Sequence, residues 1–220
     1  MIDHPSVRDN VQLAPLTTYK VGGTARFFAE PGDLGELREV LSLAPPDTSV
    51  VVLGRGSNVV VSERGIDGLV IKLGRSFQAV SVGDDGDVTA GGGAALPKVA
   101  RLAASWGRGG LGFFVGIPGS VGGAVRMNAG GHGSDTAHVM RHALILDSTT
   151  RQLTRSTPRD LELGYRCSNL GDPDIVVQAT FATTEADTDI LEDEIREITR
   201  WRKANQPGGT LNAGSVFKNP

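Results

Sequence analysis

The chain reads as an α+β fold in two consecutive lobes divided near Arg75. Three observations lead there. Short β-type runs recur from Val50 to Ala90 between Gly, Asp and Ser turns, apolar residues at helical spacing mark three helices, and a glycine-rich stretch interrupts the second half. With 220 residues and 39% hydrophobic side chains, the chain can bury the core of one domain or two modest ones.

In the first lobe, Leu34, Leu37, Val40 and Leu41 give Leu34 to Leu43 one apolar helical face, and Val50–Leu53, Val59–Ser62 and Leu69–Leu73 are expected strands. The second lobe starts with strands Val80–Val82 and Val88–Ala90. A helix from Leu96 to Trp106 follows, with Pro97 in its first turn and Leu96, Val99, Leu102, Ala103 and Trp106 as its apolar face. Strands Ala143–Leu146 and Ile175–Thr180 flank a short helix over Pro158–Leu163. Asp189 then opens a long helix, with Glu192 three positions on as in a capping box and Leu191, Ile195, Ile198 and Trp201 on one face. Pro207 and the Gly208-Gly209 pair stop it.

Twenty-two basic and 25 acidic side chains give a net charge of −3 without a basic block, which argues against nucleic acid as a partner. The opening MIDHPSVRDN lacks a signal-peptide pattern, and no apolar run is long enough to span a bilayer, so a cytoplasmic protein without a membrane partner is expected. Cys167 is the single cysteine, which excludes an internal disulfide and a cysteine zinc cage and fits a reducing compartment.

Fourteen of the 43 residues from Gly91 to Gly133 are glycine, interleaved with Phe113, Phe114, Val115, Ile117, Val121 and Val125. Ordinary turns would bring Asn, Asp and Ser, whereas this run has apolar partners. Its backbone amides can approach a buried ligand such as a pyrophosphate without side chains in the way. Gly54-Arg55-Gly56-Ser57-Asn58 is a second candidate, read either as a hairpin turn or as a concavity of N–H groups with two side-chain donors and a guanidinium. A diphosphate bridging two lobes would need a loop from each.

Four other patterns carry less. Gly107 to Gly112 matches GxGxxG but follows a helix instead of opening one, so a Rossmann site is not expected. His132, Asp135, His138 and His142 resemble metal ligands, yet the surrounding glycines and the following strand break the spacing, and surface loop histidines are the expectation. Arg166, beside Tyr165, suits a carboxylate or a structural ion pair. Ser215 follows a small pair but lacks a hydrolase elbow.

In order, TTYKVGGTARFFAEP, VVLGRGSNVVVSERGIDGLVIKL, GFFVGIPGSVGGAVRMNAGGHG, GYRCS and AGSVFKNP resemble the UDP-N-acetylenolpyruvoylglucosamine reductases, from about Leu16 to Pro220. The resemblance implies a two-lobed FAD-binding fold of the vanillyl-alcohol oxidase (PCMH) type. Residues 1–75 would form lobe one, 76–205 lobe two, and 206–220 the start of a substrate-binding domain. It implies noncovalent FAD, NADPH as hydride donor and a small-molecule UDP-sugar bearing an enolpyruvyl group as substrate. Gly54, Arg55, Gly56, Ser57 and Asn58 would embrace the FAD diphosphate with Gly119, Ser120, Gly122, Gly123 and Ala124, and Arg202 would add a contact. Arg166 would hold and polarise the substrate carboxylate, Ser215 would donate a proton, and Tyr165 and Asn219 would contact substrate.

The chain departs from the family at Thr17, where Asn is common, and the sequence ends on the KNP motif, whereas the resemblance implies a further stretch that carries a catalytic Glu. A 220-residue form that binds FAD but does not complete turnover is the expectation. Another flavin oxidase of the same fold and a non-catalytic nucleotide-binding module stand as alternatives, the second leaving Arg166 and Ser215 without a purpose.

Overall fold

The computed structural model describes residues 2–206 and Leu211. Ser215, Asn219 and nearly all of the expected third segment therefore lie outside the described residues.

The first lobe contains β1 (Val7–Gln12), β2 (Thr24–Ala29), α1 (Leu34–Leu43), β3 (Ser49–Val52) and β4 (Ile66–Ile71). Its sheet runs β1-β2-β4-β3, antiparallel at β1/β2 and parallel elsewhere. Asp33 starts α1 by accepting from the Glu36 amide at 2.9 Å. Strand periodicity splits the lobe's apolar side chains: Phe27, Ala29, Leu69 and Ile71 face the buried stripe of α1, while Phe28 and Val70 pack on the other face against Leu13, Leu53 and Val61.

The second lobe follows with β5 (Val80–Val82), β6 (Val88–Gly91), α2 (Leu96–Ser105), β7 (Arg108–Gly109), α3 (Val121–Arg126), β8 (Gly130–Gly131), β9 (Ser134–Asp135), α4 (Thr136–Val139), β10 (Met140–Asp147), β11 (Leu153–Ser156), β12 (Asp174–Phe181), β13 (Thr184–Glu185) and α5 (Thr188–Asn205). Five strands form an antiparallel sheet, β11-β10-β12-β6-β5. Both of its faces are covered. Ile145, Val176, Ala179 and Phe181 meet α2, α3 and α5, whereas Leu146, Ile175 and Val177 join the core beneath α1. That shared core packs the two lobes together.

Several expected elements differ. Val59–Ser62 is not a strand: only Val61 is buried, Val60 is 72% exposed, and one backbone bond, Gly23 N to Ser62 O at 2.8 Å, ties the segment to its neighbour. Pro158–Leu163 forms turns, ended at Glu162 by a φ of 46°. The long helix is capped by Asp187, not Asp189, with the Asp187 carboxylate accepting from the Asp189 amide at 2.9 Å, while Glu192 pairs with Arg196. Trp201 leaves the apolar face, 50% exposed, and sets its ring edge against His132 at 5.0 Å.

Candidate functional site

Beyond β3 the chain leaves its sheet at Leu53, and Gly54 to Asn58 follow no regular pattern. None of these five amides donates to a backbone carbonyl among the described residues. The loop keeps its shape because it is braced from outside. Gly56 is buried with φ +66°, and a Cβ there would overlap the Leu16 carbonyl and come within 2.7 Å of Thr17 Cα. The Thr18 amide donates to Gly56 O at 2.9 Å, and Thr17, 2% exposed, donates its hydroxyl to Ala14 O at 3.1 Å. Arg55 and Asn58 point their loop positions to solvent, with Ser57 half-buried.

The second glycine segment is built differently. After a 3-10 turn over Gly112–Gly116 and the exposed Pro118, Ser120 caps α3 by accepting from the Gly123 amide at 3.4 Å. This stretch is bonded to the turn after β6: Leu96 N to Gly119 O at 3.1 Å, Val121 N to Ala94 O at 2.9 Å and Gly122 N to Gly92 O at 2.8 Å. Ala124 donates its amide to Ser120 O at 2.9 Å and is buried. Of this segment, the amides of Gly119 and Ser120 are the ones without a hydrogen-bond acceptor among the described residues, since the Gly123 amide is taken by Ser120 Oγ. Gly122 contributes its lack of a side chain, since a Cβ would sit 3.1 Å from Gly92 O and 3.3 Å from Val176 O. Gly123 is exposed at the start of the helix.

The two loops meet. Gly54 lies so close to the Ser120 hydroxyl that a Cβ at Gly54 would overlap Oγ, and Ser57 Oγ lies 3.9 Å from where a Gly119 Cβ would be. Amides without an acceptor among the described residues thus border one another from both lobes, with hydroxyls at the seam. Such a cradle suits the paired anionic oxygens of a diphosphate, which satisfy several N–H groups at once. Arg202, on α5, donates from Nη1 to Gly116 O and from Nε to Gln206 at 2.9 Å, and burial lowers its pKa from the ordinary value. It fastens α5 to the segment leading into Gly119.

Arg166 occupies a tight turn. Gly164 and Cys167 exchange backbone bonds at 3.1 and 3.2 Å, leaving Tyr165 and Arg166 at the tip, and Arg166 has φ +58°, a conformation in which glycine is usual. Its Nη2 donates to Gly130 O at 3.1 Å, and its guanidinium lies 5.6 Å from the centre of the Tyr165 ring, which is largely exposed. A permanently charged fork held by a single carbonyl among the described residues has donors left over for a carboxylate.

One contributor is absent from the motif reading. Asn128, 4% exposed with φ +39°, sits just past α3 and bonds both the Arg166 turn and α4. An Asn in the left-handed region is a local sign of a turn, but nothing in its sequence neighbourhood names its partners. Thr17 and Thr18 are equally illegible as braces of Gly56.

The remaining candidates have other work. Gly107 ends α2, and Arg108-Gly109 pairs with Thr184-Glu185, so GxGxxG is a helix exit. Asp135 caps α4; burial opposes its charge, yet hydrogen bonds from His138 and Asn128 hold its pKa below the usual carboxylate value. His142 takes an Arg155 contact at 3.0 Å, and its pKa is lowered by burial and by that guanidinium. His132 meets Trp201 edge to face.

A family profile described as an FAD binding domain matches residues 25–152, which include both loops of the cradle. The chain is 41% identical over 220 residues to UDP-N-acetylenolpyruvoylglucosamine reductase 2 of Symbiobacterium thermophilum, covering 99% of this chain and 71% of that protein. The crystal structure of UDP-N-acetylenolpyruvylglucosamine reductase from Thermus caldophilus superposes with a TM-score of 0.84 at 32% identity, over 97% of this chain and 76% of that one. Cholesterol oxidase from B. sterolicum shares the fold at a TM-score of 0.61 and 16% identity, over 83% of this chain and 38% of that one.

Proposed function

Because the chain belongs to the UDP-N-acetylenolpyruvoylglucosamine reductase family, with the two-lobed FAD-binding fold of that family, we propose that it takes part in the NADPH-driven reduction of UDP-N-acetylglucosamine enolpyruvate to UDP-N-acetylmuramate, a step toward peptidoglycan. The observation that carries this reading is the meeting of unpartnered amides from Gly54–Asn58 and from Gly119 and Ser120 at the lobe seam. Residues 1–75 and 76–205 are the two lobes in this scheme, 206–220 begins the substrate-binding part, and the protein works in the cytoplasm.

The chemistry that bound FAD supplies is passage of a hydride from NADPH to the terminal vinyl carbon of the substrate. The protein holds the noncovalent cofactor with the cradle amides, aided by Ser57, Ser120 and the Arg55 charge. Gly122, Gly123 and Ala124 support it as the body of α3, and Arg202 secures the approach at Gly116. Arg166 takes the substrate carboxylate in its fork and stabilises the negative charge that builds on the adjacent carbon, with Tyr165 lining the same turn. Ser215 then gives a proton to that carbon, and Asn219 contacts the UDP portion. Serine is a poor acid in water, so its role requires a strongly basic carbon in a dry site.

The purified protein should carry flavin absorbance or acquire it on titration with FAD, and acid precipitation should release free yellow flavin. A protein that takes up no FAD sinks the proposal. In a form extended past Pro220 to the length of its relatives, Arg166→Ala should retain the flavin and lose about a hundredfold or more in substrate-dependent NADPH oxidation.

A further inference from the structure

The Arg166 turn contributes little packing of its own. Tyr165 is 57% exposed, and the backbone at Arg166 is in the left-handed region. Its orientation is fixed instead by hydrogen bonds to the segment leaving α3. Ser168 Oγ donates to Arg126 O at 2.7 Å, Arg166 Nη2 donates to Gly130 O at 3.1 Å, and between them Asn128 Nδ2 donates to Gly164 O at 3.0 Å. Asn128 is the buried member of this set. Its Nδ2 also donates to Asp135 Oδ2 at 3.3 Å, while its Oδ1 accepts from the Ala137 amide at 2.8 Å. With one acceptor end facing an N–H and one donor end facing two oxygens, the amide has a single satisfactory orientation.

We propose that Asn128 is a positioning residue for the reaction, clipping the base of the Arg166 turn to the end of α3 whose opposite end forms part of the FAD cradle. The inference rests on the reading of Arg166 as the carboxylate-holding group. Its physical basis is that hydrogen bonds are directional where apolar packing is not, and that α3 is a single six-residue helix. The guanidinium is thereby referenced to the cofactor-binding segment. Loss of the Asn128 amide frees the Gly164 carbonyl from its second donor and leaves the Ala137 amide and Asp135 with one partner fewer.

Asn128→Gly removes the side chain while accepting the left-handed backbone, and Asn128→Asp keeps the shape while replacing both donors with an acceptor beside Asp135. In either folded variant, hydrogen exchange at the Gly164 and Cys167 amides is expected to accelerate about tenfold or more, because these bonds close the turn. FAD affinity should stay within about twofold, while in a form extended past Pro220 to the length of its relatives kcat/KM for the enolpyruvyl substrate falls roughly tenfold. In an Arg166→Ala background the same substitution should change kcat/KM by less than about twofold, since its effect passes through Arg166. Unchanged exchange in the turn overturns the proposal, as does a kcat/KM loss that persists undiminished without Arg166. Full substrate reduction by Arg166→Ala alone is a separate failure, that of the role given to Arg166, and it removes the positioning role with it whatever the exchange shows.

Discussion

Gly54–Asn58 and Gly119–Ala124 both offer backbone amides at the lobe seam, and they reach that state by opposite routes. The first is an irregular loop whose five amides bond no carbonyl among the described residues, and it is held by the wall of Leu16, Thr17 and Thr18 outside it. The second is stitched by backbone bonds to Gly92, Ala94 and Leu96, so most of its amides are committed and two are left at the edge. An unpaired loop presents more donors but depends on steric bracing. A capped helix presents fewer and carries its own support.

Substitutions of single atoms can separate these routes. Gly56→Ala should do most damage, because the new Cβ meets backbone at Leu16 and Thr17 while φ +66° disfavours any side chain. A cost on the order of 3 kcal/mol, about a hundredfold in FAD affinity by titration, is expected. Gly122→Ala gains helix propensity yet places Cβ 3.1 Å from the Gly92 carbonyl. A net loss of about 1 kcal/mol should appear in denaturant unfolding of the apo-protein. Ser120→Ala deletes the α3 cap together with the hydroxyl that Gly54 touches, for a loss of about 1 kcal/mol by the same measurement. Gly123→Ala should reverse the sign. Among the described residues its Cβ meets only Ser120 Oγ at 3.5 Å, an ordinary contact, so the apo-protein should gain about 0.5 kcal/mol. Destabilisation at Gly123 comparable to that at Gly56 would show that α3 is braced by sterics after all.

Elements whose signal is local were readable in the sequence. Leu34–Leu43 is a helix with the bounds its apolar spacing marks, and Val80–Val82 is a strand with the bounds expected. The failures have a common cause. β1 is a largely exposed edge strand without clean alternation, α3 is a helix in a glycine-rich sequence, and Val59–Ser62 has strand composition but only one backbone bond to a neighbour. In each, tertiary partners outweigh propensity. The same holds at the site: Arg166 stands out by its residue type, whereas Asn128 matters because of what it touches.

By itself the sequence determined the glycine positions, the charge and hydroxyl groups beside them, and through the ordered motifs the family and its flavin. Tertiary structure decided which amides remain free, that Gly54 abuts Ser120, and that Asn128 supports the Arg166 turn. The division has a physical reason. A residue's conformational freedom and functional groups are written in its own identity, but whether an N–H is spent or available depends on carbonyls that the fold brings from far along the chain, as Gly92 is brought to Gly122 and Leu16 to Gly56.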